Sequence, residues 1–281
     1  MYTVSIDRIG LVVPVTNKGT HSNFCVMIKS LKDEPGNKYW ETKYHKNAVV
    51  PLSEHQTLRM QFGFSHKNPY MRFDFNPASC GTDEWNVLHA ELGYLFEFGY
   101  DALLTQAKVT YLEIAVDCTD ILCKGLMSFD TKLRNSAWYP SFGNPSPTCY
   151  LGRRGSQRVI RVYDRVAKLL AYGKTAPDHP VTRIEAVLRR LNCTVAELKD
   201  VVNPFSSFGP CLVSDLEQAW TDPEWQQFLA HSKIKGTSEA LQLAGKAKKS
   251  FKKRLVDRVC KWWSNETVWA LYPSSLQTLA Q

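Results

Sequence analysis

The clearest alternation of apolar and polar residues runs through Leu58-Arg-Met-Gln-Phe-Gly-Phe64 and Tyr70-Met-Arg-Phe-Asp-Phe-Asn76. Apolar side chains fall at 58, 60, 62 and 64, then at 71, 73 and 75. Each segment therefore reads as a strand with one buried face. Ser65-His-Lys-Asn-Pro69 between them carries turn residues, so the pair reads as a hairpin. Its other face presents Arg59, Gln61, Arg72 and Asp74. Upstream, Asp7 to Val15 reads as a strand, His21 to Ile28 as its partner, and Pro35 to Pro51 as a loop with a short strand. Downstream, Thr82 or Asp83 caps a predicted helix reaching about Leu104, with Val87, Leu88, Leu92, Leu95 and Phe96 at helical spacing.

The pattern then returns to strands. In Val109 to Asp117, Leu112, Ile114 and Val116 share one face, and Glu113, Ala115 and Asp117 the other. Pro140 to Pro147 is rich in proline and glycine and reads as a loop; Cys149 to Gly152 begins another strand. The stretch Gly152-Arg-Arg-Gly-Ser-Gln-Arg-Val-Ile-Arg-Val-Tyr-Asp-Arg165 reads as a turn feeding a strand. Arg161, Tyr163 and Arg165 alternate there with Ile160, Val162 and Asp164, so the tyrosine shares a face with two cations. A helix from Arg165 to about Tyr172 follows. Pro180 to Arg189 is a further strand, with Arg183, Glu185 and Val187 on one face. Thr194 and Glu197 form a capping box for a short helix to about Val202. After Pro210 the reading is helical: 214–220, 222–231 and 237–263, the last capped by Thr237. The expected class is α+β: an antiparallel sheet core with one polar side, helices on the other, and a basic helical C-terminal region. The expected boundary separates residues 1–209 from 210–281.

Charge adds a partner to this picture. Lys and Arg exceed Asp and Glu by eight in 281 residues, which favours an anionic partner, nucleic acid being the commonest. No apolar run reaches the length of a membrane span, and the start, Met-Tyr-Thr-Val-Ser-Ile-Asp, lacks a basic segment followed by an apolar one. No membrane partner and a cytoplasmic location are expected. The eight cysteines are scattered with no C-x-x-C pair, so they read as reduced, buried small hydrophobes.

The polar faces collect Arg, Asp, Glu and one Tyr. A tyrosine beside two guanidiniums suits a phosphodiester: its oxygen can attack phosphorus while Arg161 and Arg165 neutralise the phosphate. The plainer alternative is a tyrosine on a solvated sheet. Glu113, Asp117 and Glu185 are candidate ligands for Mg2+ or Mn2+. Glu113 and Asp117 lie about 13 Å apart along a strand, so Glu113 with Glu185 is the better first pair, Asp117 or Asp74 supporting it. The alternative is cross-strand ion pairing of Glu113 or Glu185 with Arg183 or Arg161. None of the seven histidines forms a His-hydrophobic-His pair, which excludes nicking enzymes that hold metal that way; His66 and His179 fall in loops. From Lys233 to Trp263 ten Lys or Arg stand against Glu239 and Asp257. Lys248, Lys249, Lys252 and Lys253 there could track a phosphate backbone, or the helix could pack through Leu241, Leu255, Val256 and Val259. Gly245-Lys-Ala-Lys-Lys-Ser250 lacks the P-loop spacing.

Three blocks resemble the replication initiation factor family, which comprises rolling-circle initiators of plasmids and filamentous phages and related conjugative relaxases. The family's Y-L-G-S-R-x-S-x-x-x-x-R-I-Y-D-K is similar to Tyr150-Leu-Gly-Arg-Arg-Gly-Ser-Gln-Arg-Val-Ile-Arg-Val-Tyr-Asp-Arg165; its R-I-D-x-A-x-D to Tyr111-Leu-Glu-Ile-Ala-Val-Asp117; its R-x-E strand to Arg183-Ile-Glu185. The likeness covers about residues 55–200. Arg165 stands where the family has Lys, Tyr111 where it has Arg, and Glu113 where it has Asp. The resemblance implies metal-dependent, sequence-specific DNA nicking and joining through a 5′-phosphotyrosine. Tyr163 would be the nucleophile, Glu113, Asp117 and Glu185 the metal positions, and the sheet's polar side would face DNA. Arg59, Arg72, Arg153, Arg154, Arg158 and Arg183 would join the four C-terminal lysines in binding it. Partners would be origin DNA, double- and single-stranded, a host helicase and polymerase, and a second copy of the chain. A conjugative relaxase and a non-catalytic origin- or single-strand-binding protein are the alternatives.

Overall fold

The computed structural model describes residues 1–15, 19, 22–27, 38–41, 45–65, 68–96, 99–141 and 144–280. It is an α+β fold built on a large antiparallel sheet. The strands are β1 (Tyr2–Pro14), β2 (Lys38–Glu41), β3 (His45–Pro51), β4 (Thr57–Ser65), β5 (Asn68–Phe75), β6 (Lys108–Thr119), β7 (Leu126–Asp130), β8 (Ser136–Ser141), β9 (Asn144–Leu151), β10 (Arg158–Asp164), β11 (Val181–Thr194) and β12 (Phe208–Leu212). Ten of them hydrogen-bond in the order β2-β3-β4-β5-β1-β6-β11-β10-β9-β8, and β12 pairs with β7 separately. The chain divides into two compact units. One holds Met1–Ser5, Ile114–Val187 and Val202–Ser274; the other holds Ile6–Glu113, Leu188–Val201 and Ser275–Gln281. The boundary expected near residue 209 falls inside the first of these.

In the second unit the predicted hairpin forms as β4 and β5, with Met60 opposite Phe73 and Phe62 opposite Met71. Leu58, Met60, Phe62, Met71, Phe73 and Phe75 are all buried, as a period of two requires of a one-sided core. Helices α1 (Thr82–Leu95) and α2 (Gly99–Gln106) cover that face. Trp85 and Tyr100 set their rings edge-on to Phe75, at 6.0 and 6.3 Å. The single helix expected over 82–104 is thus two. The cap of α1 is Gly81, whose N–H is bonded by Glu84 at 2.9 Å, rather than Thr82 or Asp83. Residues 22–27 are helical, not a strand beside β1. Pro35, Gly36 and His66 lie outside the described residues. The Thr194–Glu197 capping box forms both its bonds, at 2.6 and 3.3 Å.

In the first unit residues 140–141 and 144–147 of the stretch read as a loop are strand, ending β8 and beginning β9. Pro140 is tolerated because β8 ends the sheet and the ladder is irregular between Tyr139 and Ser141, where it needs no N–H. The helix expected over 237–263 is broken. α6 (Thr237–Leu243) and α7 (Lys248–Val256) flank a short 3-10 turn that starts at Gly245, φ +54°. Thr237 does not cap α6; its hydroxyl donates to the Ser128 carbonyl at 2.9 Å. With α4 (Val213–Ala219) and α5 (Pro223–Lys235), these helices enclose a core of Trp225, Phe228, Leu241, Phe251 and Leu255 with Met127 and Phe129 of β7. No helix among the described residues is long and apolar enough to cross a membrane.

Candidate active site

Tyr163 sits on β10, the second strand of a hairpin with β9. The turn between them depends on Gly152. Its φ of +95° disfavours any side chain, and a Cβ there would meet the Arg158 carbonyl oxygen at 2.9 Å. Arg153 and Arg154 are exposed in that turn, and the Arg154 guanidinium lies over the Tyr150 ring at 5.4 Å. Arg161 stands opposite Tyr150 in the ladder.

Tyr163 is not on a solvated face: it is 1% exposed. Its hydroxyl donates to Glu185 Oε1 on β11, which is equally buried. Arg161 Nη2 is 2.7 Å from Glu185 Oε2. From the far side Lys168 of helix α3 (Arg165–Ala171) donates to the Tyr163 hydroxyl at 2.9 Å, its ammonium 4.0 Å from the ring centroid. Asp164 caps α3 by accepting the Ala167 N–H at 2.9 Å, which turns the chain sharply just after the tyrosine. A phenol is thereby held between a carboxylate that can take its proton and two cations that can stabilise the oxyanion. Arg165 heads α3 and so leaves the strand face that alternation assigned it.

Lys168 was not singled out in the sequence. It lies five residues past Tyr163, beyond the strand's period of two. Only the Asp164 cap and the helix it starts bring it back over the ring, so the signal was the N-cap that follows the tyrosine.

The other predicted residues are dispersed. In the first unit Asp117 forms a two-pronged pair with Arg183, Nε to Oδ1 at 2.6 Å and Nη2 to Oδ2 at 2.5 Å, with Arg183 4% exposed. Arg158 is engaged by Asp130 at 3.0 Å and by the Pro204 carbonyl at 2.6 Å. Arg158 and Arg183 therefore clamp the fold rather than line its surface. In the second unit Glu113 accepts from the Tyr111 hydroxyl, and Arg8 and Arg189 flank that ring at 5.3 and 5.6 Å. Arg72 holds Asp74 through two bonds, at 2.8 and 2.9 Å, while Arg59 is exposed beside a polar cleft that Glu113 also lines. Lys248, Lys249 and Lys253 are exposed, and Lys252 is partly buried. His179 is half-buried and pairs with Asp178 at 3.0 Å.

A divalent ion fits these carboxylates poorly. Asp117 has both oxygens on Arg183, and Glu185 has one on Tyr163 and one on Arg161. Among the described residues no group of three or more His, Cys, Asp or Glu is arranged to hold a metal ion.

No family model and no curated protein matches the chain. Among solved structures it is similar to a rolling circle replication initiator protein from Geobacillus stearothermophilus, at 13% identity and a TM-score of 0.40, over 84% of this chain and 98% of that one. It is also similar to DynU16, a putative protein of the dynemicin biosynthetic locus, at 9% identity and a TM-score of 0.21, over 86% and 99%.

Proposed function

We propose that the chain is a rolling-circle replication initiator that nicks and rejoins DNA through Tyr163. The observation that carries this reading is the quartet of Tyr163, Glu185, Arg161 and Lys168, two of which, Tyr163 and Arg161, belong to the segment that resembles the initiators' tyrosine motif.

Glu185 takes the phenol proton as Tyr163 Oη attacks phosphorus. The new Tyr–O–P bond replaces the P–O3′ bond. The departing oxygen takes a proton from water and leaves a free 3′-hydroxyl, with the 5′-phosphate on the tyrosine. Once Glu185 is protonated it no longer neutralises Arg161, whose charge turns to the phosphate oxygens alongside Lys168. Arg165, at the head of α3, is a further phosphate ligand. Joining is the same path reversed. No step is assigned to a divalent ion, for want of a fitting ligand set. Arg59, Arg72, Arg153 and Arg154 are the sheet-side cations for the DNA strand.

A phosphate reaches Tyr163 when α3 shifts outward, moving the Lys168 ammonium off the ring and onto the phosphate. The helix suits that movement, since it has no fully buried residue. The same burial supports a second reading, an origin- or single-strand-binding protein in which the quartet is structural.

One experiment separates the two. The protein is incubated with a supercoiled plasmid carrying the DNA that flanks its own gene, and nicked circles are analysed for protein at the 5′ end. An adduct with wild type and none with Tyr163→Phe is expected. Tight DNA binding with no adduct would establish the second reading.

A further inference from the structure

A cleft of about 540 Å3 opens in the first unit between residues 130–134 and helices α6 and α7. Lys132, Arg134, Lys248 and Lys252 line it. The one acid among its lining residues is Asp130, and that charge is already matched. Asp130 Oδ1 is 3.0 Å from Arg158 Nη2 and accepts the N–H groups of Lys132 and Leu133 at 2.8 and 3.0 Å. Four cations thus converge on a concave surface with no counter-charge of their own.

The walls are fixed before anything binds. Three side chains of α6 and α7 grip carbonyls of the facing segment. Lys252 donates to Thr131 at 3.0 Å, Ser238 to Leu133 at 3.2 Å and Gln242 to Arg134 at 2.5 Å. A preorganised cationic cleft loses little entropy on binding an anion.

Size and lining choose the anion. The volume is that of a pocket for one small ligand, so a duplex does not enter, while one strand can pass. No aromatic side chain lines the cleft, so it offers no platform for base stacking. What remains is contact with successive phosphates, which positions a strand without reading its sequence.

We infer that this cleft binds the phosphate backbone of a single DNA strand. The inference rests on the DNA reading above for the identity of the polyanion, and it adds Lys132 and Arg134 to the binding surface. In the nicking reaction the cleft would hold the strand separated at the origin.

The test is a triple variant, Lys132→Gln, Arg134→Gln and Lys248→Gln; all three side chains are exposed, so the fold should persist, as a melting curve will verify. Binding of a mixed-sequence fluorescent oligodeoxynucleotide is followed by anisotropy across a salt series, beside a duplex of the same sequence. For three lost contacts, the slope of log K against log salt for the single strand should fall by about two. Single-strand affinity should fall tenfold or more, and duplex affinity much less. Unchanged single-strand slope and affinity would overturn the inference, as would an equal loss for the duplex. Adduct formation at Tyr163 is scored separately. Lost strand binding in a protein that makes no adduct upholds the cleft and sinks nicking; retained strand binding in one that does sinks only the cleft.

Discussion

Tyr163 gives its hydroxyl hydrogen to one oxygen of Glu185, and the other oxygen of that carboxylate is 2.7 Å from Arg161. One buried side chain on β11 thus organises both the tyrosine and a cation of β10. Its two jobs can be separated by substitution. Tyr163→Phe should abolish the covalent adduct while leaving Glu185 paired with Arg161, at a stability cost of about 1 kcal/mol. Glu185→Gln keeps the shape and one acceptor oxygen for Arg161, but turns an amide NH2 toward Tyr163 and cannot accept its proton; nicking should fall by roughly 10²-fold or more, with DNA affinity within twofold. Gel detection of the adduct and anisotropy measure the two. A Glu185→Gln protein that nicks at the wild-type rate would remove the carboxylate from the chemistry.

Asp117 tests the metal reading from the other side. A ligand to a catalytic ion loses activity when substituted and leaves the fold intact. A clamp on a buried arginine does the reverse. Asp117→Asn leaves Arg183 buried with a neutral partner, so urea unfolding should show a loss of about 2 kcal/mol, with adduct formation on a short single strand within threefold. Arg183→Lys should cost a similar amount, because an ammonium cannot make the two-pronged contact. Stability near wild type with activity gone would restore Asp117 to a metal site.

Lys168 touches both the ring and the oxygen of Tyr163. A cation there favours the phenolate over the phenol. Lys168→Met keeps the bulk over the ring and removes the charge. The rate of adduct formation should drop at neutral pH by about tenfold, and the deficit should shrink as the solution becomes alkaline. A deficit that stays constant with pH would assign Lys168 to covering the tyrosine rather than activating it.

The hairpin of β4 and β5 was legible because its two faces have different solvents, and a period of two records that difference directly. The same rule misplaced Tyr163. Alternation says that Tyr163 and Val162 point opposite ways, but not what covers each side, and here Glu185 and Lys168 close over the tyrosine from other elements. Of the acids, Glu185 took the ion-pair alternative with Arg161, while Arg183 paired instead with Asp117, an acid the spacing had not matched to it. Sequence spacing cannot choose between a metal and an arginine, since both want a carboxylate on a strand's polar face. The breaks were harder still. Pro140 suggests a loop until the edge position of β8 is known, and Gly245 interrupts a helix whose apolar spacing continues past it.

The thiols supply a prediction independent of DNA. Cys118 and Cys149 are buried, and burial, the larger cause for each, pushes both thiols up to about 12, with the Asp117 charge adding to the shift at Cys118. In the unfolded chain they ionise near the ordinary 9.0. The unfolded state therefore releases their protons first as pH rises. Their contribution to stability is complete below pH 9 and is lost progressively between 9 and 12. Melting temperatures followed by circular dichroism should begin to fall near that lower limit, and Cys149→Ala, which has no thiol to ionise, should show a shallower alkaline slope from a lower starting stability. In the native protein neither thiol should label with a disulfide reagent at about pH 8, where only exposed thiolates react. Parallel alkaline slopes for wild type and Cys149→Ala would show that other groups set the alkaline limit.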